Sequence, residues 1–392
     1  MDSDGQSSSL RKRVAVAYFL LYGSIASLAG YLNLYLNRAG YSEGTIGTIG
    51  ALMAVSGLVA TPLWGWLSDR QGDRRLPLIV GAIGSALCLI GLLKAPYPFI
   101  LVAAVAFSFF NSPLIAILDA FTLERLGNDK RDYGPLRAWG SAGFIALMLW
   151  FGLTLKGQSS PSSLVPALAT FVALRIAMGV LCVSFPTNGK PRPEARVGRG
   201  DLTDWLTDRD WQVFLLISFL SMATNAAFFA FFPLYLSRAG VSDNWQGYFW
   251  VIAVVAETAF MAWVSGPLMT RMGLKGLLLL SVLGRAIRFA LYTLSLPFGI
   301  LALCQVLHSL TFGAAHTASV AWVSLRSRPE SRAFSQSLFS GVLAGAAMAV
   351  GAQWGGWMIE QFGMNHLFAV ASAVNLVTLF VGWRWLKEPL DR

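Results

Sequence analysis

Leu34-Tyr35-Leu36-Asn37-Arg38-Ala39-Gly40-Tyr41-Ser42 returns 200 residues later as Leu234-Tyr235-Leu236-Ser237-Arg238-Ala239-Gly240-Val241-Ser242, with seven of nine residues identical. Gly47 and Gly247 continue the match. One apolar run further on, Gly65-Trp66-Leu67-Ser68-Asp69-Arg70-Gln71-Gly72 answers Gly266-Pro267-Leu268-Met269-Thr270-Arg271-Met272-Gly273. The chain is a duplication, and its two copies have to be read as versions of one unit.

Working outward from these landmarks, apolar runs of about 20 residues occupy 14–36, 44–67, 76–94, 98–120, 137–156, 163–184, 211–236, 245–267, 276–296, 299–320, 335–357 and 366–386. Each is long enough to cross about 30 Å of hydrocarbon at about 1.5 Å per residue. Backbone groups cannot stay unpaired in lipid, so runs of this length predict helices; barrel strands would be shorter and alternate in polarity. The expected fold class is an all-α membrane protein of twelve transmembrane helices. Six helices per copy is an even number, so both copies cross in the same sense. Two six-helix bundles related by a parallel pseudo-twofold repeat are therefore expected, an architecture that places substrate between the halves. The domains read as 1–184, a polar linker over 185–210 that includes Lys190-Pro191-Arg192-Pro193-Glu194, and 211–392.

Composition agrees. Of 392 residues, 55% are hydrophobic and 13% charged, with a mean hydropathy of +0.58. A soluble domain of this size carries about twice that share of charge. The net charge of +10 is spread in short tracts between apolar runs, so no nucleic-acid partner is expected. With the N-terminus inside, 23 of the 30 Lys and Arg residues fall in inner segments and 4 in outer loops. That asymmetry predicts an inner (plasma) membrane protein with both termini cytoplasmic. Arg11-Lys12-Arg13 precede the first run, but it is too long for a signal-peptide core and a second run comes closely after it. Cys88, Cys182 and Cys304 are scattered through apolar runs and suggest neither disulfide nor metal. Gly40-Tyr41-Ser42-Glu43-Gly44 fits a nucleophile elbow only formally, since no strand leads into it. No phosphate-binding loop or zinc motif is present, so no enzyme, no cofactor and no ATP-driven pump are expected.

Gly65-Trp66-Leu67-Ser68-Asp69-Arg70-Gln71-Gly72-Asp73-Arg74-Arg75 resembles the G-x-L-x-D-R-x-G-x-R-R loop signature of the major facilitator superfamily. In physical terms Gly65 would permit close helix approach, Asp69 would accept from backbone N–H groups or pair with an arginine, and Gly72 would permit a tight turn. Arg70 and Arg74 complete the motif.

Charges inside apolar runs are costly and therefore candidate functional groups. They are Asp119, Arg175, Glu257, Arg285 and Arg288, with His308 and His316 as titratable neighbours. Glu257, Arg288 and His308 lie near the midpoints of consecutive runs. They read either as a proton-coupling group or as an ion pair that braces the second half. Arg175 reads as a structural pairing without an assigned partner, and Asn111 as a hydrogen-bonding group for substrate or for a neighbouring helix. From position alone, Asp119 and Arg137 sit near inner helix ends, where snorkelling charges are common.

The chain further resembles the lactose-permease-like proton symporters, which include oligosaccharide, nucleoside and phenylpropionate permeases. Arg137 lies 18 residues after Asp119, within Tyr133-Gly134-Pro135-Leu136-Arg137-Ala138-Trp139-Gly140-Ser141. The resemblance implies that Asp119 and Arg137 hold substrate with Phe144 or Trp139 stacked beside it. It also implies that His308, Arg288 and Glu257 couple proton and substrate, and that His316 is a phenylpropionate-permease feature. Thr311 stands where the family carries a proton-bearing acid, and Thr224 and Asn225 where sugar permeases carry acids. The implied activity is proton-coupled symport of a small organic solute (sugar, nucleoside or aromatic acid) by a monomer in a lipid bilayer. A proton-driven exporter and a non-transporting sensor share the same features. Gly341-x-x-x-Gly345 and Gly351-x-x-x-Gly355 read as close-packing faces.

Overall fold

A computed structural model describes residues 3–126, 130–155, 157, 160–187, 205–328 and 331–389. The segment 188–204, the core of the expected linker, lies outside the described residues. No strand occurs among those described. The helices that cross are α1 (Ser3–Arg38), α2 (Glu43–Gln71), α3 (Arg75–Lys94), α4 (Phe99–Leu126), α5 (Tyr133–Thr154), α6 (Pro161–Val183) and α7 (Arg209–Arg238). The next apolar stretch, Asp243–Tyr292, has 50 residues. As one straight rod it would run to about 75 Å, more than twice the hydrocarbon thickness. It turns back at Gly273, where φ is 72° and ψ 178°, giving α8 (243–272) and α9 (274–292). α10 (Phe298–Arg326), α11 (Phe334–Phe362) and α12 (Met364–Trp385) complete twelve long apolar helices among the described residues.

The sequence repeat is a repeat of helix ends. Gly40 and Gly240 take positive φ of 96° and 79°. The Tyr41 N–H donates to the Leu36 carbonyl at 3.1 Å, and the Val241 N–H to the Leu236 carbonyl at 2.9 Å. Gly40 and Gly240 donate in turn to Asn37 and Ser237. Both first helices thus end in a Schellman cap, whose left-handed residue only glycine adopts without strain. Gly72 and Gly273 also take positive φ, 66° and 72°, so the tight turn expected at Gly72 is present.

The described residues fall into two compact units, one drawn from Met1–Tyr41, Thr48–Ala195 and Ser242–Tyr248, the other from Ser42–Gly47, Arg196–Val241 and Phe249–Arg392. In the first, α1 packs along α5 and α6, and α3 along α4 and α6. In the second, α7 packs along α11 and α12, and α9 along α10 and α12. The pairings are the same after a shift of six helices. Trp64, Leu78, Leu118, Phe121 and Met178 belong to the core of the first unit; Phe214, Leu277, Ala318, Trp322 and Phe339 belong to that of the second.

Two glycine expectations need correction. A Cβ placed at Gly65 or at Gly341 would meet open space, so neither is a point of close helix approach. Sequence spacing cannot tell which face of a helix its small residues line. Gly351 and Gly355 do serve that role: a Cβ at Gly351 would strike the Ala223 carbonyl of α7, and one at Gly355 would crowd Ala227 and Phe231.

The duplication is not exact inside the bilayer. The second unit carries π-helical turns at Phe260–Val264 in α8, Ser309–Ala314 in α10 and Leu338–Leu343 in α11. Such turns are uncommon and tend to sit at functional positions.

Candidate functional site

In the first unit the expected acid–arginine pair is assembled. Arg137 Nε lies 3.6 Å from Asp119 Oδ1, with 34% and 24% of the two side chains exposed. That separation is longer than a direct hydrogen bond. The Tyr18 hydroxyl donates to Asp119 at 2.7 Å and also lies 3.2 Å from Thr122 Oγ1. The Arg137 guanidinium sits over the Tyr22 ring at 4.4 Å, a cation–π contact. Trp139 is exposed and Phe144 half-buried on the same helix. The rings that face the Arg137 guanidinium are those of Tyr22 and Tyr18 of α1. Tyr18 and Tyr22 escaped sequence reading, although their spacing of four puts them on one helix face.

Asn111 and Arg175 explain one another. Arg175 Nη2 donates to Asn111 Oδ1 at 2.6 Å, and its guanidinium lies 4.9 Å from the Phe171 ring. Of the two readings open for Asn111, its carbonyl serves the bond to a neighbouring helix.

The loop motif is an ion-pair hub. Arg74 reaches Asp69 at 2.7 Å and Glu124 at 2.9 Å, tying the end of α2 to the end of α4. Arg70 stacks over Trp66 at 5.2 Å. Asp69 is thus held by an arginine of its own loop.

In the second unit, Glu257, His308 and Arg288 meet as their depths predicted. Glu257 Oε2 lies 3.3 Å from His308 Nε2, and Arg288 Nη1 lies 3.2 Å from His308 Nδ1. A guanidinium only donates, so Nδ1 must accept and the ring proton sits on Nε2, facing Glu257. The imidazole is neutral in this arrangement. Arg288 also donates to Gln305 Oε1 at 2.8 Å, to the Tyr292 hydroxyl at 3.0 Å and to Thr311 Oγ1 at 3.2 Å. Its guanidinium lies 4.4 Å from the Phe228 ring. Gln305 binds Tyr292 as well, at 2.8 Å. Gln305 and Tyr292 were not foreseen; each lies within one helical turn of a member of the cluster, Gln305 three residues before His308 and Tyr292 four after Arg288. Rings continue outward from His308, with Phe312 stacked at 5.5 Å and His316 stacked on Phe312 at 5.9 Å.

The arrangement offers two kinds of chemistry. Asp119, Arg137, Tyr18 and Tyr22 present polar and aromatic groups to a small solute. Glu257 and His308 form a linked acid and imidazole able to take up and release a proton.

A model of the MFS_1 like family matches residues 12–370. The chain is 26% identical to the probable 3-phenylpropionic acid transporter of Escherichia coli (strain K12), over 94% of this chain and 96% of that protein. It is 25% identical to the maltose permease of Geobacillus stearothermophilus, over 93% of this chain and 91% of the permease. Crystal structures of the nucleoside transporter NupG superpose with TM-scores of 0.85 and 0.80 at 19% identity, covering 96% of this chain and 100% and 99% of theirs. The chain belongs to the MFS_1 like family, within the major facilitator superfamily of membrane transporters.

Proposed function

We propose that the chain is a secondary active transporter that imports a small organic solute together with a proton by alternating access. The moving parts are the six-helix bundles 1–184 and 211–392, joined by 185–210, in the inner membrane with both termini cytoplasmic. It acts as a monomer. Asp119 and Arg137, framed by Tyr18 and Tyr22, contact the solute. Glu257 carries the proton and His308 relays its state to Arg288. Asp69, Arg70, Gly72 and Arg74 brace the inner loop between conformations.

One observation carries this reading: the contiguous Glu257–His308–Arg288 chain inside apolar helices. Buried ionisable groups in a bilayer are expensive, and a static brace would need only one pair. The relatives' names support a solute of the sugar, nucleoside or aromatic-acid class.

Purified protein in proteoliposomes, under an imposed inward proton gradient, tests it. Accumulation of a solute from one of these classes is expected, and Glu257→Gln should abolish gradient-driven accumulation while leaving exchange intact. Accumulation that survives Glu257→Gln would overturn the coupling assignment. Accumulation only under the inverted gradient would make the protein an exporter.

A further inference from the structure

The second unit holds more positive charge than its own carboxylates neutralise. Arg285 and Arg288 stand one turn apart on α9, 3% and 1% exposed. Glu257 is spent on His308, which is neutral. Among the described residues, Arg288 donates to neutral acceptors only. Arg285 donates to a backbone carbonyl, that of Thr311, which belongs to the π-helical turn of α10. Its Nε and Nη1 are buried without a hydrogen-bond partner among the described residues. Two guanidiniums therefore face one carboxylate, and two charged donors lack an acceptor inside a membrane-spanning bundle. An unpaired buried charge is unstable unless something supplies the counter-ion.

We propose that Arg285 and Arg288 form the binding site for the carboxylate of an organic monoanion, the substrate's charged end. This rests on the transport reading and adds the substrate's class to it. The free Arg285 Nε and Nη1 point to different sides of its guanidinium, so each offers an anion one charged hydrogen bond, a stronger kind than a neutral donor gives. Thr311 supplies a hydroxyl beside Arg288 instead of a competing acid, so the anion has to come from outside the chain. The rings beside Arg288, Phe228 and Tyr292, suit an apolar or aromatic body on that anion. A monoanion entering with one proton on Glu257 leaves the bundle's charge unchanged by loading.

The test uses the full chain in detergent and in proteoliposomes. The probes are 3-phenylpropionate and its uncharged amide, 3-phenylpropionamide. Ligand-dependent thermal shifts should show the acid binding at least about tenfold more tightly than the amide. Arg285→Gln should remove that preference, a loss of about tenfold or more for the acid with little change for the amide. Should Arg285→Gln fail to fold, Thr311→Asp serves as the second variant. It places an internal carboxylate against Arg288, so it should fold at least as stably as the parent and lose the acid preference. Equal affinity for acid and amide in the parent, or an acid preference intact in both variants, overturns the proposal. Transport is judged separately. A neutral solute that accumulates in proteoliposomes while the acid neither binds nor moves sinks the carboxylate site and spares the transporter. Acid binding that depends on Arg285, with no solute accumulated under any gradient, does the reverse.

Discussion

Arg38 grips both carboxylate oxygens of Asp243, Nη1 to Oδ2 and Nη2 to Oδ1, each at 2.7 Å. The two side chains are 12% and 2% exposed. The repeat reproduces the pair with its members exchanged: Arg238, the counterpart of Arg38, bonds Glu43, the counterpart of Asp243. In each case an arginine in the last turn of a capped helix meets an acid in the first turn of another. Each charge also lies at the helix end whose dipole favours it.

Asp243→Asn should therefore be costly, because it leaves a largely buried guanidinium opposite a neutral group. A loss of about 3 kcal/mol is expected. Thermal unfolding in detergent measures it. The double exchange Arg38→Asp with Asp243→Arg should recover part of the loss, and a single variant as stable as the parent would show that the pair contributes nothing.

Glu388 does for the second half what Asp73 does for the first. The Asp73 carboxylate accepts from the Arg75 N–H at 2.8 Å, capping α3. The repeat places Leu274 at the corresponding position, which cannot cap. Instead Glu388, beyond α12, accepts from the N–H groups of Leu274 and Lys275 at 2.5 and 2.9 Å. Glu388→Ala should cost about 1 kcal/mol, the usual value of a lost N-cap. Hydrogen exchange at the start of α9 should rise in the variant and stay unchanged at the start of α3.

Glycines of similar appearance should respond in opposite ways. Gly351→Leu forces a side chain onto the Ala223 carbonyl, and overpacking of this kind costs about 1–3 kcal/mol. Gly65→Ala meets open space and removes backbone entropy from a helix, so stability should hold or rise by about 0.5–1 kcal/mol. Melting temperatures of the two variants decide it.

The contrast marks how far the sequence was legible. Caps and turns were readable because Gly40, Gly72, Gly240 and Gly273 sit at fixed places in a repeat, and positive φ demands glycine there. The meeting of Glu257, Arg288 and His308 was readable because depth in a bilayer scales with position along a helix. Rotation about the helix axis was not. Tyr18 and Tyr22 were lost among 10 tyrosines and 26 phenylalanines, since an aromatic facing Arg137 and one facing lipid look alike in a string. Arg175 and Asn111 are 64 residues apart, with nothing local to join them. The π turn at Ser309–Ala314 adds residues to the helical repeat and rotates the rest of α10 about its axis, so no reading at a period of 3.6 would bring the Thr311 carbonyl to Arg285.

Acid should weaken the inner end of the second unit. Asp208 caps α7, accepting from the Asp210 N–H at 2.8 Å, and takes Arg326 of α10 at 2.6 Å. Burial alone would raise its pKa, but the Arg326 hydrogen bond and the Asp210 N–H outweigh it and hold the carboxyl below its ordinary value. A depressed folded-state pKa means that the charged form favours folding. The contribution is complete above the ordinary carboxylate value of about 4 and disappears as pH falls below it. Asp208→Asn lacks this contribution at every pH. The stability gap between parent and variant should therefore stay constant from pH 7 to about 5 and narrow below about pH 4. Melting temperatures across that range read it directly. A gap that widens on acidification would mean that the carboxyl is held above its ordinary value and that Arg326 is not its dominant partner.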